Sequence, residues 1–155
     1  MSPSMDILIS SNLERLLYFT AGAEETKKYM EQLKECGKYT VSSEIIEKIN
    51  NDFIGYYASE KETAETINTL YNQNQYLCDT HTAVAVCCAN KYTQESGDTT
   101  PIITVSTASP YKFARDVYKS LTDQLPSGDL EALKELNQLT NVNIPYPLVD
   151  IDKRT

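Results

Sequence analysis

The stretch from Ile102 to Phe113 constrains the fold more than any other part of the chain. Five of its first six residues are β-branched, which predicts a short strand covered on both faces, from Ile102 to Thr107. Ser109 then stands at a predicted helix N-cap, and Pro110 takes the first helical position, where its missing N–H costs nothing. Because α/β proteins hold small ligands where a strand end meets a helix N-terminus, Thr107 is expected to place a neutral hydroxyl in a binding crevice.

The charge balance argues against two classes of partner. The chain has 22 acidic and 14 basic residues, a net charge of −8, which opposes contact with nucleic acid or with an anionic membrane surface. The longest apolar run, from Ala83 to Ala89, is too short to span a bilayer. We therefore expect neither a nucleic-acid nor a membrane partner.

The cysteines and the N-terminus predict a reduced compartment. The four cysteines show no metal-ligand spacing, and the chain has one histidine, so no metal site is expected. Cys87 and Cys88 lie side by side in an apolar run, as reduced packing residues do. Residues Met1 to Ser4 lack the basic region of a signal peptide, so a cytoplasmic location is expected.

Hydrophobic periodicity and capping residues predict about seven helices. Capping boxes are expected at Ser11–Glu14 and Ser59–Glu62. The helix from Ser109 is expected to run to a break at Pro126–Gly128. A helix that is apolar all round, as the one carrying the run from Ala83 would be, belongs inside a protein with neighbours on several sides. The expected helix starts are Ser11, Glu24, Ser42 or Ser43, Ser59, Asp79 or Thr80, Ser109 and Asp129.

Two short strands complete the predicted inventory, Phe53–Ala58 and Ile102–Thr107. Two strands so far apart in the sequence make a poor sheet by themselves, and the apolar helix needs more neighbours than these elements offer. The chain is therefore predicted to be a helix-rich α/β segment, a single piece from residue 1 to residue 155, of a larger α/β protein.

Three segments together resemble the threonine synthase family, whose enzymes use pyridoxal 5′-phosphate (PLP). Residues Asp79–Val84 are similar to the family's Asp-Pro-His-Thr-Ala-Val stretch, and Ser106–Phe113 resembles its Ser-Thr-Ala-His-Pro-x-Lys-Phe stretch. Residues Ser2–Ile7, followed by Ser11–Leu17, resemble a segment past the middle of those enzymes. The resemblance implies the C-terminal third of a fold type II enzyme, of the tryptophan synthase β-like class, with the PLP lysine and the phosphate-binding loop in an absent N-terminal portion.

The same resemblance implies an activity for the parent enzyme. Threonine synthases are lyases of threonine biosynthesis that convert O-phospho-L-homoserine and water to L-threonine and phosphate. No catalytic residue is expected in this chain, because the lysine that carries PLP is absent. The five glycines are isolated from one another, so none forms a phosphate cradle of consecutive N–H groups. The chain alone is expected to be inactive and to bind no PLP.

The matched motifs supply four candidate site residues. Thr107 is expected to contact the pyridine nitrogen of PLP, with Ser106 beside it. Lys112 and His81 are the candidates for substrate binding. Lys112 stands in a first helical turn, where a cation opposes the helix dipole, so either substrate phosphate or a surface ion pair would account for it. His81 is either a hydrogen-bonded structural residue or a site residue.

A second interpretation stays open beside the enzyme. The chain could be a stand-alone acidic, mostly helical interaction module without catalysis, and its clustered acids fit solvated helix faces. An upstream reading frame that encodes the PLP lysine would favour the enzyme over the module.

Overall fold

A computed structural model of the chain describes residue 7 and residues 9–153. Within these residues it contains seven α-helices, which confirms the helix-rich prediction and its helix count. The chain divides into two compact units, one reaching Gly55 and the other starting at Tyr56. None of the described helices is long and apolar enough to cross a membrane. The helices are α1 (Ser11–Ala21), α2 (Ala23–Cys36), α3 (Ser43–Asn50), α4 (Glu60–Asn74), α5 (Thr80–Ser96), α6 (Ala114–Thr122) and α7 (Asp129–Thr140).

The first unit is a bundle of three short helices. Helix α1 packs against both α2 and α3, and each helix contributes one buried apolar side chain to the centre: Leu17, Tyr29 and Ile45. The ring of Tyr29 stacks on that of Tyr39 with centroids 5.4 Å apart. A core this small is stabilised by only a few large side chains, each contributing about 1.5–3 kcal/mol on burial.

The ends of α1 and α2 follow from local backbone chemistry. The N-cap of α1 is Ser10, whose hydroxyl oxygen accepts the Leu13 N–H at 3.3 Å. The predicted capping box at Ser11–Glu14 is therefore wrong. The N-cap is one residue earlier, because Ser10 has an extended backbone and Ser11 is the first helical residue. Gly37 ends α2 as predicted, with a φ of 71° that a residue bearing a Cβ rarely adopts.

The second unit holds the larger core. Helix α4 packs against α5 and α6, and α6 packs against α7. Each of these helices directs a buried apolar residue inward, and the Tyr111 hydroxyl donates a hydrogen bond to the Val142 carbonyl. The buried members of this core are Ile67, Leu77, Cys78, Ala83, Tyr111, Ala114, Val117, Ala132 and Leu136.

Two of the predicted helix starts in this unit are confirmed in detail. Ser59 and Glu62 form a reciprocal capping box at the start of α4. Ser109 accepts the Tyr111 N–H at 3.3 Å, and a 3-10 turn over Pro110–Phe113 then leads into α6.

The end of α6 differs from its prediction. It ends at Asp123, earlier than the predicted break at Pro126–Gly128, because Asp123 adopts a left-handed conformation (φ 58°) and its N–H bonds to the Lys119 carbonyl. Gly128 is then the N-cap of α7, and Asp129 is the first residue of that helix.

The two predicted strands form no sheet among the residues described. No strand is assigned within residues 9–153, since Phe53–Ala58 and Ile102–Thr107 find no partner strand there. Ile103 is 88% exposed and Val105 is 71% exposed, so the expected burial on both faces is wrong for this chain. A strand needs a hydrogen-bonded neighbour, and the described residues provide none for either segment.

Candidate functional site

The N-terminus of α5 and the turn after Val105 lie together in the second unit. The hydroxyl oxygens of Thr82 and Ser106 are 3.1 Å apart. The ring of His81 meets the ring of Phe113 edge to face, with centroids 4.7 Å apart. The structure thus brings the Asp79–Val84 and Ser106–Phe113 motifs into contact, although 24 residues separate Thr82 from Ser106 in the sequence.

The buried carboxylate of Asp79 holds this cluster together through hydrogen bonds. The residue is fully buried, and its Oδ1 atom accepts the N–H groups of His81 at 2.8 Å and of Thr82 at 3.2 Å. Its Oδ2 atom accepts the Thr82 hydroxyl. A carboxylate is favoured here because the free N–H groups and the dipole of the helix N-terminus both stabilise negative charge.

Sequence reasoning identified Asp79 only as one of two alternative caps, and missed Thr82. The signal was present, because Asp79 and Thr82 occupy the N-cap and the third helical position. Residues at those positions exchange hydrogen bonds in a capping box. What the sequence could not indicate is that the Thr82 hydroxyl also reaches Ser106.

His81 is held by neighbours on two sides. Its Nδ1 atom lies 3.8 Å from Asp79 Oδ1, and its side chain is 14% exposed. Its ring edge packs against Phe113, as described above. These contacts fit a packed structural residue, and the side chain stays partly exposed, so both interpretations of His81 stay open.

Thr107 and Ser106 are exposed at the surface of the cluster. The Thr107 hydroxyl makes no hydrogen bond within residues 9–153, so it is available to an external group. Ser109, which stands where the resembling family has histidine, uses its side chain to cap the turn. The turn is therefore held at both ends, by Ser109 and by the contact between Ser106 and Thr82.

Lys112 projects from the same turn into solvent. Its Nζ atom lies over the ring of Phe113, 5.6 Å from the centroid. Such a contact contributes about 0.5–1 kcal/mol at an exposed site, which leaves the ammonium group accessible to an anion.

The lysines of the chain bear directly on the chemistry. A lysine that attaches to a carbonyl cofactor is activated by a desolvated site or a neighbouring cation. All eleven lysines lie in the described part of the chain, and ten of them are exposed. The other, Lys91, is half-buried and pairs with Glu62 at 2.7 Å. None of the lysines therefore matches the environment of a covalent PLP anchor.

Metal ligands are also missing from the region the structure covers. Across residue 7 and residues 9–153, no three histidine, cysteine, aspartate or glutamate side chains converge to hold an ion. The chemistry offered by the cluster is that of neutral hydroxyls, one ammonium group and one imidazole.

Comparison with known proteins identifies the class of this fold. The family model described as "Threonine synthase, C-terminal" matches residues 82–152. The crystal structure of yeast threonine synthase superposes with a TM-score of 0.79 and 33% identity, over 99% of this chain and 31% of that one. A PLP-bound threonine synthase from Brucella melitensis gives a TM-score of 0.70 and 33% identity, over 88% of this chain and 29% of that one. The fold is thus that of the C-terminal part of PLP-dependent fold type II enzymes.

The sequence comparison finds similarity to the same enzymes. Threonine synthase of Saccharomyces cerevisiae is 37% identical over an alignment of 164 residues, which covers 90% of this chain and 31% of the relative. The chain is similar to the C-terminal part of threonine synthases, as the motifs predicted. It spans about a third of the length of these relatives.

Proposed function

We propose that the chain forms one wall of the active site of a PLP-dependent threonine synthase, which converts O-phospho-L-homoserine and water to L-threonine and phosphate. The observation that carries this proposal is the exposed Ser106–Thr107 turn, held against the N-terminus of α5 by buried polar contacts. The likeness to a PLP-bound threonine synthase supports it.

The residues present fit one side of the cofactor. Bound PLP supplies an electron sink for carbanionic reaction centres. Thr107 offers a neutral hydroxyl to the pyridine nitrogen. The Asp79 carboxylate of the same cluster is buried and accepts hydrogen bonds from α5, so it is not available to that nitrogen. A neutral contact moderates the electron demand of the ring.

Lys112 and His81 are proposed to bind the substrate. The accessible ammonium group of Lys112 offers a point charge to the substrate phosphate. His81, fixed between Asp79 and Phe113, borders the same surface. Both assignments are proposals that rest on position and on the chemistry of the side chains.

The chain is proposed to be inactive alone and to need an N-terminal portion of the same enzyme as its partner. The lysine environments described above favour a covalent anchor on that portion. The exposed apolar side chains of Ile103 and Val105 would be covered by it. We further propose that the assembled protein is cytoplasmic, without nucleic-acid or membrane partners.

A complementation experiment tests this function. The chain is mixed with the part of S. cerevisiae threonine synthase that precedes the matched region, and threonine formation from O-phospho-L-homoserine is followed. The proposal expects activity and bound PLP only when both polypeptides are present. Turnover by the chain alone, or PLP attached to one of its own lysines, would overturn the proposal. Stable assembly without PLP binding would favour the acidic interaction module.

A further inference from the structure

The hydrogen bonds around Asp79 determine how protons are arranged in the cluster. Both backbone N–H groups at the start of α5 point to Asp79 Oδ1, and the Thr82 hydroxyl points to Oδ2. An ionised carboxylate only accepts hydrogen bonds. Three donors converge on the two oxygen atoms of Asp79, which is the arrangement of a group that accepts hydrogen bonds and donates none.

Thr82 has one hydroxyl proton and two oxygen neighbours. If that proton lies in the bond to Asp79, it cannot also lie in the contact with Ser106, 3.1 Å away. The Ser106 hydroxyl is then the group that can donate in this contact, because a hydroxyl oxygen can both donate one bond and accept others. Such a bond directs the proton of Ser106 inward.

We propose that Asp79 and Thr82 act as positioning residues that fix the Ser106 hydroxyl as an acceptor toward solvent and leave Thr107 as the hydroxyl donor of the turn. The inference deepens the proposed function and rests on it where the cofactor is concerned. An unprotonated pyridine nitrogen accepts hydrogen bonds and donates none. It can bind Thr107 and cannot bind Ser106, so the buried carboxylate selects which of two adjacent hydroxyls meets the ring.

The proton arrangement can be measured in the full 155-residue chain without any cofactor. In equal parts of H2O and D2O, a slowly exchanging hydroxyl splits the 13Cβ signal of its residue into two lines. We expect two lines for Thr82 and one averaged line for Thr107. The decisive variant is Ser106→Ala, at an exposed position: the two Thr82 lines persist if the proton points to Asp79. One line for Thr82 in the unaltered chain, or loss of its second line in Ser106→Ala, would overturn the proposal.

A variant that reverses the direction of the hydrogen bond between residue 79 and Thr82 provides the matched control. Asp79→Asn keeps an N-cap side chain, but its amide nitrogen would face Thr82 and donate, so the Thr82 proton would turn toward Ser106. In that background Ser106→Ala should abolish the second Thr82 line. Backbone amide spectra of each variant show whether the fold is kept. Persistence of the second line in the double variant would show that Asp79 does not set the polarity.

The same variants separate this inference from the proposed function. In the complex with the N-terminal portion, Ser106→Ala should raise the PLP dissociation constant without moving the absorbance maximum. Thr107→Val should move the maximum. If Ser106→Ala moves it and Thr107→Val does not, the assignment of the two hydroxyls is wrong. If the chain shows the expected hydroxyl pattern but the complex binds no PLP, the proposed function fails and the proton arrangement stands.

Discussion

The N-terminus of α5 and the segment before Ser106 are neighbours that differ in how completely this chain provides for them. Asp79 is fully buried with both carboxylate oxygens occupied by hydrogen bonds from α5. Ile103 and Val105, a few residues before the turn that contacts α5, are largely exposed. A helix end is satisfied by residues close in sequence, whereas a strand depends on another segment. The difference indicates that residues close in sequence stabilise the polar cluster, whereas the apolar segment before Ser106 stays largely exposed in this structure.

The largest expected effect comes from removing the buried cap. Asp79→Ala deletes an N-cap and leaves the Thr82 hydroxyl without its acceptor, so we expect a loss of about 3 kcal/mol in the free energy of unfolding. Urea denaturation measures it. Asp79→Asn, which preserves the cap, should lose less than half as much. A loss below about 1 kcal/mol for Asp79→Ala would show that the network contributes little.

The second prediction compares the same substitution at a buried and at an exposed valine. Val117 is fully buried, whereas Val105 is 71% exposed. Val117→Thr buries a hydroxyl and should cost about 1–2 kcal/mol, while Val105→Thr should stay within about 0.5 kcal/mol in the isolated chain. Thermal unfolding of both variants checks the difference. Equal losses would mean that Val105 is covered in solution by a contact this structure lacks.

The third prediction is that Thr→Val has opposite effects on stability at two positions in the first turn of α5. The Thr80 hydroxyl is buried, and no hydrogen-bond partner is found for it among the residues described, while the Thr82 hydroxyl bonds to Asp79. Thr80→Val should therefore stabilise the chain by about 1 kcal/mol, and Thr82→Val should destabilise it by a similar amount. Denaturation midpoints are sufficient to compare the two. Destabilisation by Thr80→Val would indicate that its hydroxyl is used.

The smallest expected effect is the pH dependence of stability that arises from the ion pair between Glu62 of α4 and Lys91 of α5. The Lys91 ammonium group and the Ser59 hydrogen bonds lower the pKa of the Glu62 carboxyl from 4.5 to about 2. Because the folded-state pKa is depressed, the stabilisation is present above pH 4.5 and is lost as the pH falls toward 2. Glu62→Gln should reduce the fall in melting temperature between pH 5 and pH 3. An unchanged fall would exclude Glu62 as a contributor.

The parts of the fold that depend on residues close in sequence could be predicted. The capping box at Ser59, the cap at Ser109 and the glycine stop at Gly37 all follow from local backbone chemistry, and the structure has them. The errors are also local. Ser10 rather than Ser11 caps α1, and Asp123 ends α6 because aspartate adopts the left-handed conformation less predictably than glycine.

What the sequence could not supply is contact between distant segments. The approach of Thr82 to Ser106 depends on how α5 packs beside the turn, and no periodicity or capping pattern encodes it. The expected burial of the strand failed for a related reason, since β-branched residues indicate a strand environment and no described segment pairs with Ile102–Thr107. The roles of Thr107, Ser106, Lys112 and His81 remain predictions, because a ligand contact cannot be inferred from local sequence patterns.

The most direct test of the account is the Thr107→Val variant in the complex between this chain and the N-terminal portion. Thr107 is exposed and its hydroxyl is not used in folding, so the stability of the chain should change by less than about 0.5 kcal/mol. Turnover of O-phospho-L-homoserine should fall at least about tenfold, the equivalent of one hydrogen bond, and PLP should bind more weakly. Unchanged turnover and unchanged PLP affinity in a properly assembled complex would contradict the claim that Thr107 faces the cofactor.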